Sequence, residues 1–130
     1  MSENQKKIWI TGASSGIGKA LAEKFSLEGW RVAISARRKE ILDKMASNKN
    51  IASYPLDVTN QNQINEVSSK IINDFGSLDL CVFSSGTYDP KLEQEINIKQ
   101  NKFVMETNFF GVLYCVKSVE KYFKDKKNGH

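Results

Sequence analysis

Three glycines within eight residues, Thr11-Gly12-Ala13-Ser14-Ser15-Gly16-Ile17-Gly18, limit what this chain can become. Before them comes Lys7-Ile8-Trp9-Ile10, short, apolar and rich in strand formers. After them comes Lys19-Ala20-Leu21-Ala22-Glu23-Lys24-Phe25. Ile17, Ala20, Leu21 and Phe25 fall on one helical face, which predicts an amphipathic helix with that face inward. The glycines therefore predict a tight turn from strand to helix. The first N–H groups of a helix have no partner inside it, and the helix dipole favours an anion there. Glycine lets the main chain approach the anion without a Cβ in the way. The expected phosphate site is built from Gly12, Ser14, Ser15, Gly16, Ile17 and Gly18.

The loop is not the nucleoside-triphosphate P-loop. That pattern needs Gly-x-x-x-x-Gly-Lys-Ser/Thr. Here Lys19 follows Gly18, but Ala13 stands where the first glycine belongs, and Ala20 replaces the Mg²⁺-holding hydroxyl. The spacing also differs from Gly-x-Gly-x-x-Gly, being Gly-x-x-x-Gly-x-Gly.

The rest of the chain alternates strands and helices. Gly29 closes the first helix, and residues 31–36 form a near-continuous apolar run, as in a parallel strand covered on both faces. A short helix follows with Ile41, Leu42, Met45 and Ala46 inward. Residues 51–56 predict a third strand, at or near an edge because Pro55 lacks a ladder donor. Asn60 caps the next helix with Gln63 three residues on; Ile64, Val67, Ile71 and Phe75 form its buried stripe, and Gly76 stops it. Residues 78–83 predict a fourth strand, ending in Ser84-Ser85-Gly86, and a polar loop with Pro90 leads to a last helix over residues 100–123. Such alternation predicts an α/β fold, a Rossmann-like parallel sheet with helices on both faces. With the strands present the expected order is 3-2-1-4, and the ligand lies beside the first strand, where the winding reverses.

At 130 residues the chain reads as one domain, residues 1–130, with 40% apolar and 26% charged residues. No apolar run spans a bilayer, and Met1-Ser2-Glu3-Asn4-Gln5-Lys6 holds no signal-peptide core, so the expectation is a cytoplasmic protein without a membrane partner. Cys81 and Cys115 have no metal spacing and read as reduced core residues; His130 is terminal and its position points to no role. The net charge of +4 owes much to Lys117, Lys121, Lys124, Lys126 and Lys127. These complement a helix C-terminus, and no basic stripe with interleaved aromatics points to nucleic acid.

Residues 11–18 resemble the cofactor loop of the short-chain dehydrogenase/reductase family, and the resemblance extends over nearly the whole chain. It matches the family's N-terminal, cofactor-binding half. Asp57-Val58 resemble the family's adenine-holding pair at the end of the third strand. Phe83-Ser84-Ser85-Gly86 aligns with its Asn-Asn-Ala-Gly, keeping only Gly86, so contacts there would come from backbone and the hydroxyls of Ser84 and Ser85. Thr107-Asn108-Phe109-Phe110-Gly111 resembles its Asn-x-x-Gly, whose Asn helps hold a water in the proton relay. The resemblance thus implies one catalytic-relay residue here, Asn108. The family's Ser and Tyr-x-x-x-Lys, the acid/base and the cation that lowers its pKa, have no expected counterpart. Tyr122-Phe123-Lys124-Asp125-Lys126 has the spacing but lies on the same helix as Asn108, about 21 Å further along at ~1.5 Å per residue, and reads as a chance match.

The resemblance implies an oxidoreductase that transfers a hydride between NADP(H) and a small carbonyl or alcohol substrate. The alternative is a non-catalytic nucleotide-binding module, a sensor or a subunit. NADP(H) is expected over NAD(H): Ala36 stands where an NAD site offers an acid, and Arg37, with Arg38 as alternate, can fork onto a 2′-phosphate. The last helix is apolar almost all round, which predicts a homo-oligomer through it. The chain alone is expected to be inactive, with the outer edge of the fourth strand open to pairing.

Overall fold

The computed structural model of the chain describes residues 4–88 and 90–130. Met1, Ser2 and Glu3, from the polar N-terminal stretch, and Asp89, from the loop before Pro90, lie outside them. Strand β1 (Lys7–Thr11) leads to helix α1 (Gly16–Leu27), then β2 (Arg31–Ser35), α2 (Lys39–Met45), β3 (Ile51–Ser53), α3 (Gln61–Phe75) and β4 (Leu80–Phe83). A single 3₁₀ turn, Pro90–Glu93, precedes α4 (Ile98–Met105), a π-turn (Glu106–Phe110) and α5 (Gly111–Lys126). The strands form one parallel sheet in the order β3-β2-β1-β4, as the alternation predicts.

Both faces of the sheet are covered. Ile8, Ile10, Val32 and Ile34 pack with Ala22 of α1 and Leu42 of α2. Trp9 and Ala33, alternating with them along the strands, pack with Ile64, Ile71 and Phe75 of α3 and with Cys115 and Val119 of α5. Period-two alternation therefore sends each central strand into two cores, which explains its near-continuous apolar sequence. Trp9 meets Phe83 edge to face at 5.4 Å, and its indole N–H donates to Ser35 Oγ at 3.0 Å. Burial of Cys115, and burial of Cys81 with Cys115 beside it, push both thiols up to about 12, so both are protonated, unreactive core groups near neutrality.

Several boundaries differ from the sequence reading. The third strand closes at Ser53 rather than residue 56, yet Tyr54 and Leu56 still donate backbone bonds to Ile34 and Ala36 at 2.8 and 2.9 Å. Pro55 falls between these donors, on the outer side of an edge strand, where its missing N–H costs no ladder bond. Asn60 caps α3 as expected, its Oδ1 accepting from Gln63 N–H at 3.0 Å. Gln63 Oε1 turns to Asp57 N–H at 2.9 Å.

The inward face of α1 is borne out at Leu21 and Phe25, which pack against the core, but is shifted away from Ile17 and Ala20. Gly18, Ala22 and Ser26 are buried, while Ile17 is 75% exposed and Ala20 is also exposed. Gly18 is the reason: a Cβ there would stand 2.2 Å from the Gly12 carbonyl oxygen. Only glycine lets the helix press its backbone onto the turn, and that contact fixes which face looks inward.

The last helix is longer than residues 100–123 and is broken by the π-turn. Its end also changes the expected open edge of β4. Lys127 and Gly129 adopt positive φ, and the chain turns back so that His130 N–H donates to Asp79 O and Cys81 N–H donates to His130 O, both at 2.9 Å. This is a parallel bridge on the outer side of β4. The edge is thus partly paired, and His130, which sequence position left without a role, acts through its backbone.

Candidate functional site

The carboxyl ends of all four strands open into one cleft of about 700 Å³. Its walls come from the β1–α1 turn (Gly12, Ser14, Ser15, Gly16, Ile17, Gly18), the end of β2 (Ala36, Arg37, Arg38), the end of β3 (Leu56, Asp57, Val58), the end of β4 (Ser84, Ser85, Gly86) and Thr107. Every residue expected to contact a cofactor is therefore brought to one cavity.

The three glycines divide the work. Gly12, at φ +68, lies where a Cβ would meet the Ser84 carbonyl oxygen at 2.6 Å, so it lets β1 and β4 converge, while Gly18 seats the helix. Gly16, at φ +56, has nothing within 4 Å of a built Cβ. No internal packing requires its missing side chain, and it is the glycine that leaves main chain bare to the cleft. Ser84 Oγ donates to Thr11 O at 2.7 Å and so ties the ends of β4 and β1 together.

The cleft carries charge at one end. Arg38 Nη2 donates to Ser14 Oγ at 3.3 Å, linking the β2 end to the glycine turn. The Arg37 guanidinium lies 5.8 Å over the ring of Phe103 on α4. At the far wall Asp57 Oδ1 accepts from both Thr59 N–H (2.9 Å) and Thr59 Oγ1 (2.8 Å), which orients the carboxylate.

Asn108 sits on the π-turn between cleft-lining Thr107 and the helix α5, and is exposed. Its Oδ1 accepts from Thr87 N–H at 2.6 Å and its Nδ2 donates to Thr87 O at 2.8 Å. The wide turn has two local demands on it. Asn108 reaches the loop after β4, and Gly111 lies where a Cβ would be 2.8 Å from Val58 Cγ2. A π-turn adds a residue to the helix without ending it, and such turns concentrate at functional sites.

Tyr122 and Lys126 lie elsewhere. Tyr122 Oη accepts from Leu78 N–H at 2.9 Å; Lys126 Nζ donates to Leu78 O at 2.9 Å and reaches Asp79 Oδ1 at 3.3 Å. Both fasten the start of β4, whereas Ser84 at its other end meets the cleft, roughly 20 Å away at ~3.3 Å per residue. On the basic C-terminal helix Lys117 and Lys124 share Glu120, and Lys121 pairs with Asp125.

Sequence reasoning missed Thr107 and Leu56 as walls. Leu56 precedes the Asp57-Val58 pair. Thr107 lies four residues before Gly111, and a glycine in close contact with Val58 is the signal that this stretch borders the third strand's end. Among the described residues no group of His, Cys, Asp and Glu could hold a metal ion, and no helix is long and apolar enough to cross a membrane.

The fold recurs in known proteins. The short chain dehydrogenase family profile matches residues 6–130. The chain is 32% identical to an uncharacterized oxidoreductase of Staphylococcus haemolyticus over 98% of its length, covering 56% of that protein. It is 30% identical to dehydrogenase/reductase SDR family member 7 of Mus musculus, over 94% of its length and 39% of the mouse protein. Among solved structures it superposes on ElxO with NADP bound (TM-score 0.88, 31% identity, 96% of this chain and 53% of that one). It also superposes on an actinorhodin polyketide ketoreductase variant with NADPH (TM-score 0.91, 25% identity, 98% and 52%). The chain thus spans about half the length of proteins whose fold it reproduces along nearly all of its own, and with the glycine turn, the strand order and the profile in agreement it belongs to the short chain dehydrogenase family.

Proposed function

We propose that the cleft binds NADP(H), and that the protein is an oxidoreductase exchanging a hydride between the nicotinamide and a small carbonyl or alcohol. One observation carries the cofactor reading: bare main chain at Gly16 and a guanidinium bonded to the hydroxyl of Ser14 meet at one end of the cleft. The residues fit the group. The backbone at Ser15, Gly16 and Ile17, at the start of α1, suits a pyrophosphate. Arg37 and Arg38 offer planar, permanently charged donors to a 2′-phosphate, and Ala36 offers no carboxylate to repel it. Asp57 and Val58 suit the adenine, with Ser84, Ser85 and Gly86 along the ribose side. The cofactor supplies the hydride chemistry; Asn108 would steady a water on the path of the proton. The NADP- and NADPH-bound relatives support this reading.

The test is a titration of NADPH and NADH into wild type, Arg37→Ala and Arg38→Ala. Wild type should favour NADPH, and Arg37→Ala should lose most of the difference. Equal affinity of wild type for both would sink the cofactor assignment.

A non-catalytic nucleotide-binding role is the second reading, favoured by the engagement of Tyr122 and Lys126 at the opposite end of β4. For the chain of 130 residues assayed alone, we expect weak NADPH binding and no hydride transfer above background with a panel of aldehydes and ketones. General acid–base groups contribute roughly 10²–10⁴-fold each, and among the described residues the cleft lining holds no Tyr, His or Lys. Turnover that Tyr122→Phe abolishes would overturn this.

A further inference from the structure

We infer that Phe103 is a positioning residue for cofactor selectivity: it holds the Arg37 guanidinium at the mouth of the cleft with its N–H fork free for a 2′-phosphate. This rests on the NADP(H) reading above. Arg37 lines the cleft, whereas Phe103 does not; it projects from α4, and its ring lies 5.8 Å from the guanidinium carbon. Phe103 keeps about a third of its surface exposed (36%), so core packing alone does not account for it. Its ring joins α4 to the residue that follows the end of β2 by two positions.

The chemistry of the contact matters. A cation over a ring is attracted through the ring's negative face. A guanidinium lying on a ring can use its flat face there, while its N–H donors lie in its plane and stay available to a phosphate. An exposed arginine without such a support samples many rotamers and loses that freedom when it binds. Arg38 has its own support, Ser14 Oγ at 3.3 Å. The two arginines thus have separate supports, Arg38 on the glycine turn and Arg37 on α4. A ring at position 103 should therefore strengthen binding of ligands with a 2′-phosphate and leave those without it unaffected.

The experiment measures dissociation constants of NADPH, NADH, 2′,5′-ADP and 5′-AMP for wild type, Phe103→Leu, Phe103→Tyr, Arg37→Ala and the Phe103→Leu/Arg37→Ala double variant. Phe103→Leu keeps apolar bulk but removes the ring. It should weaken NADPH and 2′,5′-ADP about 2- to 5-fold, the range open to an exposed cation–π contact, with NADH and 5′-AMP unchanged. Phe103→Tyr should bind as wild type does. In the Arg37→Ala background, Phe103→Leu should add nothing. A wild-type NADPH-to-NADH ratio in Phe103→Leu, or an equal loss for all four ligands, overturns the inference while leaving the cofactor assignment standing. Absence of any 2′-phosphate preference in wild type defeats the cofactor assignment and this inference with it.

Discussion

The side-chain amide of Asn108 pairs with the main chain of Thr87, accepting its N–H at 2.6 Å and donating to its carbonyl at 2.8 Å. The pairing joins the loop after β4 to the π-turn between α4 and α5 and so sets one rim of the cleft. Tyr114 of α5, whose hydroxyl donates to Glu106 Oε1 at 2.9 Å, ties the start of that π-turn to the first turn of α5.

Asn108→Asp tests the grip. The carboxylate can still accept from Thr87 N–H, but it sets a second acceptor against the Thr87 carbonyl. Losing one solvent-exposed bond and gaining that repulsion should cost about 0.5–1.5 kcal/mol. Chemical denaturation should show the loss, and hydrogen exchange at the loop after β4 should quicken. An unchanged midpoint with unchanged exchange would mean that the amide is not holding the loop.

The glycines make a second, differential prediction. Gly12→Ala meets the Ser84 carbonyl at 2.6 Å and suffers from positive φ, so stability should fall by about 2 kcal/mol or more. Gly16→Ala meets nothing and pays only for its conformation, about 1 kcal/mol. Cofactor affinity should show the reverse emphasis: Gly16→Ala folds but binds NADPH poorly, because its methyl group enters the cleft. Equal stability losses in the two variants would contradict the division of labour.

Tyr122→Phe separates structure from chemistry. Leu78 is fully buried, and its N–H would lose its acceptor. The expected cost is about 1–3 kcal/mol. NADPH affinity of the folded variant should match wild type, because Tyr122 acts at the far end of β4. A selective loss of affinity without a loss of stability would return Tyr122 to the site.

The apolar face of the last helices predicts association. Phe109, Phe110, Leu113 and Val116 are exposed together with Met105, a larger continuous set than isolated surface residues explain. Light scattering at micromolar concentration should find a homo-oligomer, and Phe109→Glu/Leu113→Glu should shift it toward a monomer. A monomeric wild type would remove the basis for self-association.

The short-range features of this protein were legible in its sequence because they depend on local geometry. The glycine turn, the cap at Asn60, the stop at Gly76 and the alternation of strand and helix need only backbone sterics and side-chain period. The order β3-β2-β1-β4 was legible through the known dinucleotide-binding arrangement, and residues 57–58 and 84–86 through the family resemblance; the structure gathers them with residues 12–18 and 37–38 at one end of the sheet. Features that depend on distant parts of the chain were not legible. The inward face of α1 was set by Gly18 meeting the Gly12 carbonyl, which overrode the apolar pattern that pointed to Ile17 and Ala20. The partner of Arg37 came from a phenylalanine 66 positions later, and the partial cover on β4 came from His130. Periodicity says which residues can share a face, but close approach between main chains and reach between side chains decide which neighbours they meet.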